Sequence, residues 1–463
     1  MTQSDIQNNR VMACRLARRT SDDFSETYGD SSLDSIAPFE SDEIILGRRV
    51  GSGAFAGVYQ IKDFSLRANE SKKILGVSIG GSYTGEQIQK REAAAKSVQN
   101  GVKYVMKSLK DQLEDSEEKD LFLDSAQDIV NEAEMLAAFY HPNIIELHGI
   151  IASRHESFAE GPSAFFIILE RLDCTLEDKI EEWKKQNSFN PSSSLKALRG
   201  SITASMVLDK DKVEKSTPGG GGSLDKRLRM AASLAGAMKY LHEKGVIFHD
   251  LKPENVGVDK RGNVKLFDFG LAKFMPQHGD SYKDVYEMSG AGTPRYSAPE
   301  VFFKKSYNLK ADVYSFAVVL WEMVGLKQPF PKCKKRKEFE QALPKLEKVL
   351  VIDKRWPLQI RGVIKRGLSK DLSDRPTMKE VCASLNEYFT SAAQDSEVEN
   401  TRIPSRRTSR GGRSQSVIVA SSSSMAMPKL GSSMTAIRGR RRSSFDTENT
   451  FEDLLEEVDH RGQ

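Results

Sequence analysis

The stretch from Val246 to Asn255, VIFHDLKPEN, presents a carboxylate (Asp250), an ammonium two residues on (Lys252) and an amide five residues on (Asn255). Its apolar start and polar continuation read as a strand delivering a sharp loop. Eighteen positions after Asp250 comes Asp268, in Leu266-Phe267-Asp268-Phe269-Gly270, a strand ending in a second carboxylate and a glycine. Phosphoryl transfer needs parts of this kind: a carboxylate to orient a hydroxyl, a cation for the moving phosphate, and two hard oxygens for Mg²⁺. An Asp after a strand is usually a turn residue. The order and spacing of the whole set carry the reading.

Several elements must bring these side chains to one cleft. Ile44 to Gly47 runs into Val50-Gly51-Ser52-Gly53-Ala54-Phe55-Ala56-Gly57-Val58-Tyr59, a strand, a glycine-rich turn and a second strand. Backbone N–H groups approach phosphate oxygens only where side chains are absent, which is the use of Gly51 and Gly53. Tyr104 to Lys107 reads as a further strand with Val105 and Lys107 on one face. Lys103 and Lys110 lie close by, so spacing alone leaves the phosphate-facing lysine open. Ala126 to Tyr140 is helical in composition, with Ile129, Ala133, Leu136 and Ala137 on one face, and it carries two acids, Glu132 and Glu134. Phe165 to Leu169 is a continuous apolar strand, and Thr175 to Asp178 begins a helix. Ser223 caps another helix, whose Leu224, Leu228, Ala231, Leu234, Met238 and Leu241 form a stripe leading into the Asp250 loop.

In this order the segments resemble those of the protein kinase family, from about Ile44 to Tyr388 and apart from two insertions. The resemblance implies an α+β, two-lobed fold. A small five-stranded antiparallel N-lobe with one main helix would sit beside a larger, mostly α-helical C-lobe. It implies ATP and Mg²⁺ as cofactors and Ser/Thr-bearing proteins as substrates. It assigns Asp250 to the substrate hydroxyl, Lys252 to the transferring phosphate, and Asn255 and Asp268 to the metal. Gly51, Ser52, Gly53 and Val58 would cover the nucleotide, Val105 would roof the adenine, and register selects Lys107 for the phosphates. Counting nine residues back from His141 selects Glu132 as its ion-pair partner and leaves Glu134 to solvent. Leu169 would be the gatekeeper, with Glu170 and Leu172 in the hinge. Phe248 would stack on Phe269 beside Gly270, Asp312 would anchor the catalytic loop, and Glu300 would pair with Arg375. Lys252, Thr293 and the run from Asp312 to Glu322 are most like the tyrosine-kinase-like group of serine/threonine kinases. Three departures stand out: Ala56 in place of the third glycine, His249 in place of the usual Arg, and Gly257 where a large apolar residue would floor the adenine. His249 would be a weaker, pH-dependent ligand for a loop phosphate. A bulky roof over a missing floor would displace the adenine slot toward the C-lobe.

The expected organisation is a disordered leader over 1–42, a kinase domain over 43–390 with insertions at 63–101 and 187–222, and a disordered tail over 391–463. The N-lobe would run to about 170 and the C-lobe from about 171. Candidate phosphosites in the activation loop are Ser281, Tyr282, Tyr286 and Ser289, with Thr293 just beyond. Residues 401–442 hold ten Lys or Arg and no Asp or Glu, and an acidic stretch with Phe451, Leu454, Leu455 and Val458 follows them at the C-terminal end. Ser409 and Ser444 follow paired arginines, as in sites for upstream basophilic kinases. Base-stacking aromatics are absent from that basic run, which argues against nucleic acid as a partner. Net charge is +4, from 69 basic and 65 acidic residues, a balance that likewise does not indicate nucleic-acid binding. Four scattered cysteines suggest neither a disulfide framework nor a zinc site. No apolar run is long enough to span a bilayer, and a cytoplasmic or nuclear setting is expected. The alternative from another class is a pseudokinase scaffold that binds partners without turnover. A third reading puts function in a nucleic-acid-binding tail, with the kinase fold as its regulator.

Overall fold

The computed structural model describes residues 3–28, 32–67, 72–74, 77–79, 83–114, 119–188, 224–276, 280–288 and 292–401. Met1–Arg402 form one unit and Ile403–Gln463 a second. Residues 402–463 of the tail, most of the 187–222 insertion, and the sites Ser289, Ser409 and Ser444 lie outside the described residues.

Strands β2 (Ile44–Ser52) and β3 (Ala56–Phe64) form the glycine-rich hairpin, with Gly51 opposite Val58. Strand β4 (Tyr104–Leu109) pairs antiparallel with β3, putting Lys107 opposite Val58. On its other side β4 pairs with β6 (Phe166–Glu170), putting Val105 opposite Leu169. Strand β5 (Leu147–Ile151) follows β6, and a short β1 (Pro38–Phe39) runs parallel to β5. The sheet thus has six strands rather than five, in the order β1-β5-β6-β4-β3-β2. The added strand is held by Phe39, which is buried against Phe64 with ring centroids 5.0 Å apart. Gly149 makes room for it: a Cβ there would lie 2.7 Å from the Phe39 ring.

The N-terminal leader is not structureless. Helix α1 (Gln3–Tyr28) buries Ala13, Ala17, Ser21 and Phe24, which recur every three to four residues on one face. That face packs on α3 (Lys119–Ala138), and small side chains at 13 and 17 allow a close approach. Glu134 is correspondingly buried rather than solvated, and its Oε1 accepts from Ser21 Oγ at 2.5 Å. The insertion over 63–101 also contains order, since β3 runs through Phe64 and α2 (Gly85–Gln99) begins at a Thr84–Gln87 capping box. Arg91 of α2 is buried, pairs with Glu43 and lies 4.2 Å over the Tyr83 ring.

In the C-lobe, α4 (Leu176–Ser188), α5 (Leu224–Glu243) and α6 (Lys310–Gly325) surround the catalytic segments. Helix α6 is buried from Ala311 to Val324, as a helix apolar on all sides must be. Val256–Val258 pairs with Val264–Leu266 and, on its other edge, with Cys174–Thr175. This small sheet sets Asn255 at one strand end and Asp268 just beyond another. The last described helix, α7 (Met378–Thr401), continues past residue 390, where the sequence reading ended the domain.

Candidate active site

Lys107 rises from β4 into the space between α3 and the Asp268 loop. Its Nζ lies 2.5 Å from Glu132 Oε2 and 2.8 Å from Asp268 Oδ1. Burial works against the ammonium, but the two carboxylates outweigh it and hold its pKa above the ordinary value. Glu132 is pushed up to about 7, by burial first and then by Asp268 and Asp128, against the pull of Lys107. The Lys107 charge holds Asp268 below the usual carboxylate range. One cation thus faces two carboxylates, of which the buried one titrates near neutrality.

Asp268 has φ +68°, the left-handed region that a non-glycine residue occupies at a cost. Asn131 of α3 helps hold this turn: its Nδ2 donates to the carbonyls of Phe269, Gly270 and Ala272 at 3.0–3.2 Å. Nothing in the sequence had pointed to Asn131. Phe269 meets Phe248 edge to face rather than stacked, with centroids 5.1 Å apart and both rings buried.

Asp250 stands at the centre of a second cluster. Its Oδ2 accepts from Lys252 Nζ at 2.5 Å, and its Oδ1 accepts from both Thr293 N and Thr293 Oγ1 at 2.8 Å. Lys252 Nζ also donates to Thr293 Oγ1 at 2.9 Å. The Asn255 amide donates to the backbone oxygen and Oδ2 of Asp250, at 2.9 and 3.0 Å. Those bonds use the NH₂ end of Asn255 and leave its carbonyl oxygen as the ligand-type atom. A close backbone contact explains Gly292, where a Cβ would lie 2.6 Å from the His249 carbonyl and φ is +97°. Thr293, proposed from sequence as a phosphosite, spends its hydroxyl inside this cluster. Tyr282 likewise bonds inward, to His242 Nδ1 at 2.7 Å.

The carboxylate of Asp312 accepts from the backbone N–H of Phe248 at 2.7 Å and of His249 at 3.0 Å. His249 does not offer itself to a loop phosphate. Its Nδ1 donates to the Leu271 carbonyl at 2.9 Å, and its Nε2 accepts from the Tyr307 hydroxyl at 2.8 Å. Burial lowers its pKa, so the ring is neutral with both nitrogens used. Arg375, itself fully buried, reaches Glu300 through two bonds of 2.5 and 2.9 Å.

The space above Gly257 is not an open floor. A Cβ built there would lie 2.0 Å from Leu172 Cδ1, so the hinge leucine fills the volume that the missing side chain vacates. The expected displacement of the adenine slot therefore lacks its cavity. Glu170 is tied by Lys265 at 2.8 Å, and the hinge continues through Arg171 N–H to the Lys103 carbonyl at 2.9 Å. In the glycine-rich turn, Lys110 Nζ donates to the carbonyls of Gly53 and Ala54 at 2.6 and 3.0 Å. The lysine that sequence left as a neighbour of Lys107 is a strut for the turn.

The family model for the protein kinase domain matches residues 92–387, well over half the chain. The chain belongs to the protein kinase family. The kinase domain has the two-lobed fold, and its glycine-rich hairpin lies ahead of the matched residues. Dual specificity protein kinase shkC of Dictyostelium discoideum is 35% identical over 175 residues, covering 36% of this chain and 33% of that protein. The cAMP-dependent protein kinase type 3 of Saccharomyces cerevisiae is 38% identical over 146 residues, covering 31% and 34%. Serine/threonine-protein kinase CTR1 of Arabidopsis thaliana is 44% identical over 107 residues, covering 23% and 12%. The chain therefore spans about a third or less of the length of these curated relatives. Among the described residues, no helix of the kinase is long and apolar enough to cross a membrane.

Proposed function

We propose that this chain transfers the γ-phosphate of ATP to Ser/Thr hydroxyls of protein substrates, with Mg²⁺, in a signalling role. The observation that carries the reading is the Thr293 hydroxyl held between Asp250 Oδ1 and Lys252 Nζ, at 2.8 and 2.9 Å. A carboxylate and an ammonium that can share one hydroxyl can orient a substrate hydroxyl and accept its proton, while the ammonium faces the phosphate charge. Asp268 keeps one carboxylate oxygen beyond its bond to Lys107, and Asn255 keeps its carbonyl. This pair of hard oxygens fits Mg²⁺, which when bound would neutralise phosphate charge. Lys107 would bind the nucleotide phosphates, Glu132 would hold Lys107 in position, and Gly51, Ser52, Gly53, Val58, Val105, Leu169, Glu170 and Leu172 would enclose the nucleotide. The kinase domain over 43–390 is read as the catalytic part and the basic tail as a substrate for other, arginine-directed kinases.

The Ser/Thr assignment rests on Lys252 and Thr293, whereas one relative's name describes dual specificity. Labelled ATP and Mg²⁺, followed by phosphoamino-acid analysis of a generic basic substrate, decide between them. Phosphoserine and phosphothreonine with no phosphotyrosine are expected, and chelation of Mg²⁺ is expected to abolish the label. Phosphotyrosine in comparable amount would overturn the narrower assignment, and ATP binding with no label would support the scaffold alternative.

A further inference from the structure

Ser21 lies on the buried face of α1, 6% exposed, with its Oγ 2.5 Å from Glu134 Oε1 and 2.8 Å from His155 Nε2. It ends the run Arg18-Arg19-Thr20-Ser21, and the same four residues recur as Arg406-Arg407-Thr408-Ser409 in the tail. The two arginines that an arginine-directed kinase would read are exposed, with side chains 60% and 57% accessible. The acceptor hydroxyl is therefore hidden while its recognition residues are displayed.

Helix α1 connects two parts of the candidate active site. Through Ala13, Ala17 and Ser21 it packs on α3, which carries Glu132 two residues before Glu134. Through Phe24 and Tyr28 it packs on Phe274, with the Phe24 and Phe274 centroids 5.5 Å apart, six residues beyond Asp268. A helix bound to both favours the arrangement in which Lys107 meets Glu132 and Asp268.

We infer that Ser21 is a phosphorylation site for an arginine-directed kinase, and that its modification displaces α1 from α3 and loosens the Lys107–Glu132 pair. The effect on activity rests on the kinase reading above. In the modifying step, Ser21 Oγ forms a bond to the γ-phosphorus of ATP, the bond from that phosphorus to ADP breaks, and the hydroxyl proton passes to the modifying enzyme. The phosphate brings a charge of about −1.5 to −2 onto a face already occupied by the Glu134 carboxylate. Asp22 and Glu156 stand nearby, against Arg18, which is already paired with Glu156, and His155, which burial keeps neutral. Like charges in a desolvated contact repel, so the modified helix cannot return. Because Ser21 is buried, modification takes place while α1 is detached and then traps that state.

The test uses the full chain carrying Asp250→Asn, so that only an added arginine-directed kinase supplies phosphate. Mass spectrometry maps the sites, and amide hydrogen exchange follows residues 3–28 and 119–138. Phosphate on Ser21 is expected, with exchange in both segments rising on the order of tenfold as the detached population grows. Ala17→Asp, which puts a charge on the same buried face, is expected to raise exchange in the same segments. In the otherwise native chain, Ser21→Asp is expected to slow phosphoryl transfer about tenfold and Ser21→Ala to change it less than about twofold. Ser21 left unmodified, or modified with exchange unchanged because His155 and Arg18 accommodate it, overturns the inference. If the native chain transfers no phosphate, the kinase reading fails while the exchange measurements still decide whether α1 is a clamp.

Discussion

Gly257 and Leu172 show how one absent side chain is made good by another. The hinge leucine occupies the volume over Gly257, so introducing Leu there forces it aside. Gly257→Leu is expected to destabilise the fold by about 1–3 kcal/mol through overpacking and to weaken ATP binding. Leu172→Ala in the same chain is expected to restore part of both. Denaturant unfolding and ATP titration of the two variants beside the native chain measure this, and an unchanged single variant would contradict it. At Glu132 the sign of a pH effect follows from its environment. Its carboxyl titrates at about 7 in the folded chain against an ordinary 4.5. Between those values the folded chain keeps a proton that the unfolded chain releases, so this group's contribution to stability falls as pH rises through the window. Glu132→Gln removes the titration, and the variant's stability is expected to fall less than the native chain's from pH 5 to 7.5. Equal slopes would show that Glu132 is ionised throughout.

Among the elements, the tie between the Pro299–Phe302 turn of helix and the loop before α7 depends on one buried ion pair. Arg375→Met leaves Glu300 without its partner and is expected to cost about 3–5 kcal/mol in chemical denaturation, with Glu300→Met in the same chain recovering much of the loss. A loss under about 1 kcal/mol would place the pair among weak surface contacts. The same elements show what the sequence made legible. The acid and amide around Asp250, the strand carrying Lys107 and the helix carrying Glu132 follow from short-range pattern and spacing. The ordered leader was missed: Ala13, Ala17, Ser21 and Phe24 mark a helical face, but small and polar residues dominate that stripe and weaken it against a composition argument. Burial of Glu134 could not be seen without α1, because the partner lies over a hundred residues away. The roles of Asn131, Lys110 and Leu172 are of the same kind. Each bonds or packs across the fold to backbone or to a vacancy, and neither leaves a periodic trace.

For the molecule as a whole, the upper sheet supplies Lys107 and the lower lobe supplies Asp250, Asn255 and Asp268. Helix α3 joins them by holding Glu132 on one side and, through Asn131, the Asp268 turn on the other. His249 adds a rigid strut where a phosphate-responsive arginine would otherwise sit. Both ring nitrogens of His249 are engaged within the fold, by the Leu271 carbonyl and the Tyr307 hydroxyl. Asp250 is read as orienting and deprotonating a substrate hydroxyl, and comparing the native chain with Asp250→Asn in single-turnover transfer from Mg²⁺-ATP tests that role directly. A loss of about a hundredfold to ten-thousandfold in the chemical step is expected, with ATP affinity unchanged. Equal rates for the two chains would contradict it.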